Sequence, residues 1–262
     1  MYFQENNISK TIRDLLSDYH ALGVKTEFGE EASTVEETLR LKTMAGNCTV
    51  KISGCEAVKD MYDSKSVGAT SIVAPMIESP YAMQKYVNCI KTVYPETWME
   101  ALKLYINIET IDGFKNLDRI TDSEYFENIA GIVFGRTDFA GSLGMNISDV
   151  NSEIIFDYAC KTAQKTYEAK KEFIIGGGIS PEALPFLRKF PQNCLTKIET
   201  RKVIFDAESL LSDKNAEVCI NKALEFEILW LENKQNMFGI LSENDRSRIK
   251  VLKSRAAFCK SL

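Results

Sequence analysis

The sequence predicts an α/β fold, a (β/α)8 TIM barrel with an N-terminal helix and an extended C-terminal helical tail. Three observations carry this. Short apolar runs of strand type alternate with amphipathic stretches of helical type. Eight such runs can be counted, as many as close a barrel. A length of 262 residues is one at which α/β barrels fold as a single domain.

The runs rich in Val, Ile, Phe and Tyr lie near 24–28, 49–53, 71–76, 104–109, 131–135, 173–177, 194–199 and 202–206, the last two weakly separated. Helical stretches fall between them at about 33–45, 55–67, 79–94, 111–123, 150–170 and 181–190, and another from about 8 to 22 precedes the first strand. Their starts have physical signals. Ser33 or Thr34 precedes Glu36 and Glu37, and Ser79-Pro80 and Ser180-Pro181 each set a capping hydroxyl before a proline at the first helical position. Such alternation implies a parallel sheet with right-handed crossovers. The last fifty or so residues read as two long helices near 214–237 and 243–259, the first with a broad apolar face of Phe226, Leu229, Trp230 and Leu231. Residues 1–262 therefore form one domain, with the barrel at about 20–206 and the tail helices at about 214–259.

Composition narrows the function classes. With 45% hydrophobic and 26% charged residues the chain can bury a sizeable core, which excludes disorder. A net charge of −5 without a basic stripe leaves no nucleic-acid footprint and no affinity for an anionic membrane. The basic run from Arg246 to Arg255 lies beside Glu243 and Asp245 and reads as a solvated or inter-subunit helix face. Seven scattered cysteines without a CxxC pair suit reduced thiols. No run approaches the roughly 18 apolar residues of a membrane helix, and no charged-then-apolar signal opens the chain, so a cytoplasmic protein is expected.

Barrel chemistry sits at the C-terminal ends of the strands, and the residues closing the apolar runs here are polar. They are Lys25 and Glu27, Lys51 and Ser53, Glu78, Asn107 and Glu109, the stretch Gly135-Arg136-Thr137-Asp138, the glycines 176–178, and Glu199 with Arg201. Glu109 in YINIET and Asp138 in GIVFGRTDFAGSLG together make a candidate Mg²⁺ site, because a hard cation takes oxygen ligands and needs only one or two protein carboxylates. Equally, Glu109 could cap the following helix and Asp138 could fix a turn. The GGGIS segment could present backbone N–H groups to an anion or simply make a tight strand-to-helix turn, the favoured reading. Lys197, Glu199 and Arg201 share one face, as a salt-bridged layer or an anion site.

These motifs, in this order, resemble the HpcH/HpaI aldolase and citrate lyase β-subunit family. PMIES after the third strand is similar to that family's "vP…es" segment, INIET to its metal-glutamate strand, and FGRTDFAGSLG to its metal-aspartate loop, over about residues 20–206 with 69–145 the most specific part. The resemblance implies a (β/α)8 barrel holding Mg²⁺, or Mn²⁺, through Glu109 and Asp138. It implies carbon–carbon lyase or aldolase chemistry on a 2-oxo acid of pyruvate type, through an enolate, with an aldehyde or sugar co-substrate. It also implies a homo-oligomer, trimer or hexamer, joined through the C-terminal helices.

Two departures shape the expected site. Where the family typically places an arginine at the end of strand two, this chain has Lys51, which supplies charge without a two-pronged donor, so Arg136 in the metal loop is expected to help neutralise substrate oxygens. The family's early histidine is also missing: the single histidine, His20, precedes strand one at the wrong end of the barrel. The base must then be Glu27, Glu78 or a metal-bound hydroxide, with Glu27 preferred because it shares a strand face with Lys25. Lys25, Glu78, Asn107, Gly135, Thr137 and Arg201 are expected to line the substrate site, and Lys25, Lys51, Arg136 and Arg201 to give an acidic protein one cationic mouth. The rival readings keep the barrel: an acyl-CoA lyase or thioesterase, a phosphoenolpyruvate-type enzyme, or a non-catalytic scaffold.

Overall fold

Eight strands close on themselves in sequence order in the computed structural model, which describes residues 2–258. Met1 and Cys259 lie outside the described residues. Helix α1 (Tyr2–Asp18) leads into β1 (Ala21–Glu27), followed by α2 (Val35–Ala45), β2 (Cys48–Lys51), α3 (Val58–Ser66) and β3 (Ser71–Ala74). Then come α4 (Pro80–Val93), α5 (Glu96–Met99), β4 (Lys103–Ile108), α6 (Ile111–Lys115), α7 (Leu117–Thr121) and β5 (Gly131–Gly135). The chain continues through α8 (Arg136–Ser142), α9 (Glu153–Glu168), β6 (Glu172–Gly176), α10 (Leu184–Leu187), β7 (Lys197–Glu199), β8 (Val203–Asp206), α11 (Ala207–Ser212) and α12 (Ala216–Phe258). The six described cysteines are free thiols, and no described helix is long and apolar enough to cross a membrane.

Local chemistry explains most boundaries. Thr34, not Ser33, caps α2: its hydroxyl accepts from Glu37 N–H at 3.1 Å while the Glu37 carboxylate accepts from Thr34 N–H at 2.8 Å, a reciprocal capping box. Ser79 caps α4 in front of Pro80. Ser180, read from sequence as a third cap, makes no such bond, and only a 3-10 turn (Pro181–Ala183) and the short α10 follow it. The stretch after β5, expected as a loop, is the helix α8.

The barrel is parallel from β1 to β7, as alternation implies, but β8 runs antiparallel to both β7 and β1. The physical reason is the connection. Three residues separate Glu199 from Val203, and a parallel return needs a crossover of a dozen or more, so only a hairpin can form. Thr200 builds it, its hydroxyl accepting from Val203 N–H at 3.0 Å and its N–H donating to Val203 O at 2.9 Å.

The tail is one helix of 43 residues, not two. Nothing in Gly239–Asp245 forces a break, because a lone glycine costs a helix only about 1 kcal/mol. A buried stripe of Ala216, Cys219, Ile220, Ala223, Phe226 and Trp230 seats its first half, with Arg40 lying 5.0 Å above the Trp230 ring.

Most of the core lies between the barrel wall and the helices. Inside the barrel, a thin apolar layer of Val73, Tyr105, Val133 and Ile174 separates two polar ends. At the floor the Glu172 carboxylate takes Lys103 at 2.5 Å, the Tyr105 hydroxyl at 2.7 Å, and Lys197. The alternating Lys197 and Glu199 thus enter salt bridges, Glu199 with Lys25 at the other end. Burial opposes the charge on Glu172, but these three donors outweigh it and hold its carboxyl at about 2. A carboxyl depressed below its ordinary 4.5 in the folded state stabilises the fold above that value, and loses the contribution as pH falls toward 2. In Glu172→Gln, the acid-side fall of the urea unfolding midpoint between pH 4.5 and 2 is expected to flatten relative to the parent; an identical pH profile would disprove the linkage.

Candidate active site

The polar end of the barrel opposite that floor is a cavity of about 350 Å³ at the C-terminal ends of the parallel strands. Of the residues singled out from sequence, Lys25, Glu27, Lys51, Asn107, Glu109, Gly135, Thr137, Asp138 and Arg201 line it together. Each arrives for a simple reason. Period-two alternation sends Lys25 and Glu27 from β1, Lys51 from β2, and Asn107 and Glu109 from the end of β4 into the lumen. Asp138 stands in the first turn of α8, where the positive end of a helix favours a carboxylate.

Glu109 is the most constrained of these side chains, and it is buried. Its Oε1 accepts from Met76 N–H at 3.0 Å, and its Oε2 accepts from Asn107 Nδ2 at 2.6 Å. Met76 reaches it by adopting a left-handed backbone, φ 50°, two residues past the end of β3. Across the strand, a Cβ on Gly135 would come within 2.8 Å of Glu109 Oε2, so only glycine leaves room for this carboxylate. Gly176 does the same for Glu199, whose Cγ would lie 2.9 Å from an added Cβ. Gly177, at φ 77°, approaches the start of α8 so closely that a Cβ would meet Thr137 N at 2.7 Å. GGGIS is therefore a tight turn that also walls the cavity.

Lys51 stands between two carboxylates, its Nζ 3.6 Å from Glu27 Oε1 and 3.6 Å from Glu109 Oε2. Burial works against its ammonium, but Glu109, Glu27, Asp138 and Glu199 outweigh that and raise its pKa above the ordinary lysine value. Lys25 pairs with Glu199, and Arg201, at the tip of the β7–β8 hairpin, pairs with Glu31 at 2.7 Å and Glu30 at 3.4 Å. Asp138 is pushed upward, first by burial and then by the adjacent charge of Glu109, against the opposing pull of Lys51.

Two expected residues lie elsewhere. Glu78 falls four residues beyond the end of β3, past the turn at Met76. It is exposed, and its Oε1 accepts from the Thr110 hydroxyl at 2.7 Å beside the start of α6. Arg136, the first residue of α8, is fully buried on the side away from the cavity. Its Nε donates to Gly176 O at 3.2 Å, its Nη1 donates to Asn151 Oδ1 at 2.6 Å, and its guanidinium lies 4.9 Å from the centre of the Phe186 ring. Burial lowers its pKa to about 10, and no carboxylate among the described residues offsets it. Arg136 ties the start of α8 to the end of β6 and does not line the cavity. His20 lies at the floor end, as expected of a residue preceding β1.

The mouth is therefore not cationic. Five lining carboxylates (Glu27, Glu30, Glu109, Asp138, Glu199) face three lining cations (Lys25, Lys51, Arg201), a net charge of two negatives. The donor set fits a divalent cation: two adjacent carboxylates on neighbouring elements, one with its proton affinity raised by burial and then by the other, in a cavity short of two positive charges. The buried Asn107 Oδ1 and Glu199 Oε2, which make no hydrogen bond, add to the excess of acceptors. Sequence reasoning passed over Met76, because nothing in PMIES marks a left-handed residue, and over Glu30, which sits in a loop rather than at a strand end.

Comparison with known proteins agrees with this frame. No curated protein sequence matches the chain. Among solved structures, an HpcH/HpaI aldolase from Desulfitobacterium hafniense DCB-2 superposes with a TM-score of 0.59 at 12% identity, covering 74% of this chain and 81% of that one. An HpcH/HpaI aldolase/citrate lyase family protein from Burkholderia cenocepacia J2315 gives 0.57 at 13%, covering 70% and 80%. The citrate synthase SbnG gives 0.58 at 15%, covering 87% and 90%. These likenesses show the shared barrel. The family model for HpcH/HpaI aldolase/citrate lyase matches residues 25–176, which span β1 to the end of β6 and carry Glu109 and Asp138; the chain belongs to the HpcH/HpaI aldolase/citrate lyase family, a family of lyases.

Proposed function

We propose that the chain is a carbon–carbon lyase or aldolase of 2-oxo acids, and the charge deficit of the cavity, centred on Glu109 and Asp138, is the observation that carries this reading. A Mg²⁺ or Mn²⁺ ion held by these two carboxylates would supply Lewis-acid stabilisation of the oxygen that becomes negative as the carbon–carbon bond breaks or forms.

The chain's own residues do the rest. Met76 N–H and Asn107 Nδ2 fix both oxygens of Glu109, so its orientation does not depend on the substrate. Lys51 keeps its ammonium charged among four carboxylates and turns it toward the lumen, where it meets a substrate carboxylate or keto oxygen as a point charge. Glu27, 3.6 Å from that ammonium and accepting Glu30 N–H at 3.3 Å, is placed to hold or move a proton at the hydroxyl of an aldol substrate. Lys25 is occupied by Glu199 and sets the local field rather than reaching the ligand. Thr137, Thr200, Ile147 and Ile179 bound the remaining space, which suits a small acid and one short co-substrate. Arg201, at the hairpin tip beside the mouth, is tied to Glu30 and Glu31, and a thioester whose nucleotide phosphates need free cations there is correspondingly disfavoured.

The tail supports assembly. Past Asn233 the buried stripe of α12 ends, and Phe238, Ile240 and Ile249 are exposed. Helices owe most of their stability to packing, so this half calls for a partner, and a second copy of the chain in a trimer or hexamer would supply one.

Retro-aldol turnover screened over 2-oxo acids is expected to require Mg²⁺ or Mn²⁺, and Glu109→Gln and Asp138→Asn should each lower kcat/KM by about 10³-fold or more. Metal-independent turnover, or full activity in Asp138→Asn, would refute the reading. Lys51→Met should cost about 10²-fold in kcat/KM while Mg²⁺ affinity, measured by calorimetry, holds or rises, because a competing cation is gone. By light scattering the full chain should be oligomeric and a chain ending at 237 monomeric; a monomeric full chain would rule out assembly through α12.

A further inference from the structure

The only histidine of the chain lies at the barrel floor, far in sequence from the residues it touches. His20 occupies the step between α1 and β1 with a left-handed backbone, φ 61°, a conformation that costs a side-chain-bearing residue free energy unless the surroundings require it. Its Nε2 is 2.8 Å from Asp213 Oδ2. Asp213 belongs to the short link between α11 and α12, and the thiol of Cys219, in the first turns of α12, lies 3.9 Å from the same oxygen. All three ligand atoms fall within 4.8 Å of one another.

We infer that His20, Asp213 and Cys219 form a second metal site, for a borderline-soft divalent cation of the Zn²⁺ class, which pins the start of α12 to the barrel floor. The donor set makes the choice. One imidazole nitrogen, one carboxylate oxygen and one thiolate suit zinc and disfavour magnesium, which takes oxygen. Donors around a tetrahedral zinc stand roughly 3.3–3.6 Å apart, so the nitrogen–oxygen contact must open and the sulfur–oxygen contact close by about half an ångström or less, while the nitrogen and sulfur, within 4.8 Å of each other, must close by no more than about 1.2 Å. Asp213 is already oriented for this: its Oδ1 is fixed by Asn215 N–H at 2.7 Å, leaving Oδ2 to ligate. The His20 backbone is fixed as well, its carbonyl accepting from Asp206 N–H at 3.1 Å. Cys219 is buried, whereas the His20 and Asp213 side chains are 31% and 26% exposed, so the fourth position faces water. On binding, the thiol proton leaves to solvent, and the proton shared by His20 Nε2 and Asp213 Oδ2 passes to Nδ1 by tautomerisation or to solvent, so that the sulfur, the Nε2 lone pair and Oδ2 become ligands. This site contains sulfur and the mouth site does not, so the two can be separated by spectroscopy.

The test is a titration of the full-length protein with Co²⁺ in excess Mg²⁺, following the near-ultraviolet thiolate-to-cobalt charge-transfer band. The inference requires that band to saturate at one equivalent, to bleach when Zn²⁺ is added, and to persist in Asp138→Asn. It should vanish in Cys219→Ser and in His20→Asn, the latter chosen because asparagine tolerates the left-handed backbone. Zn²⁺ should also raise the thermal unfolding midpoint of the parent and not that of Cys219→Ser. Absence of the band in the parent, or its survival in either floor variant, would overturn the inference.

Discussion

The mouth of this barrel depends on holding the Glu109 side chain immobile where like charges already crowd together. Its two oxygens are claimed by Met76 N–H and Asn107 Nδ2, its flank rests against a glycine, and the ammonium of Lys51 stands 3.6 Å away. Remove any one of these and Coulomb repulsion from the neighbouring carboxylates of Asp138, Glu27 and Glu199 favours displacement of the carboxylate from this position. The left-handed turn at Met76 and the bare backbone at Gly135 are thus consequences of the electrostatics rather than incidental loop features.

The same logic divides the barrel interior into layers. At the mouth, ion pairs are arranged with a surplus of negative charge; at the floor, Glu172 is over-supplied with cations and a phenol. Between them Val73, Val133, Ile174 and the ring of Tyr105 form an apolar partition. Apolar contacts there leave no polar group to be stranded, and they keep the two charge systems apart at a distance where fields weaken. Tyr105 belongs to both regions, ring in the partition and hydroxyl on Glu172, and its burial with that carboxylate pushes its phenol well above the ordinary value.

Much of this was legible in the residues. Alternation and strand count gave a closed eight-stranded barrel, and the rule that chemistry gathers at strand C-termini brought nine chosen residues into one cavity. The misses have physical causes. Arg136 follows a strand end directly, but as the first residue of a helix its side chain turns into the core, and strand-end reasoning does not apply there. Glu78 lies beyond a positive-φ turn that sequence does not announce. Counting Lys25, Lys51, Arg136 and Arg201 at the mouth without setting the carboxylates of the same strand ends against them misjudged the sign of its charge, and Arg136 does not line it at all. The reversal of β8 was within reach, because three residues cannot carry a crossover, yet an alternation pattern read as a whole hid the one connection too short to obey it.

That reversal decides where the chain leaves the barrel. In a fully parallel barrel the eighth strand would rise to the mouth and its helix would descend, delivering the terminus beneath the floor. Here β8 descends instead, α11 and the first turns of α12 form below, and α12 climbs the outer wall until Lys234 reaches Glu37 at the first turn of α2, level with the mouth. The 24 residues from there to Phe258 rise roughly 36 Å further at 1.5 Å each. A hairpin of three linking residues therefore turns what would have been a trailing tail into a mast standing on the cavity side of the molecule.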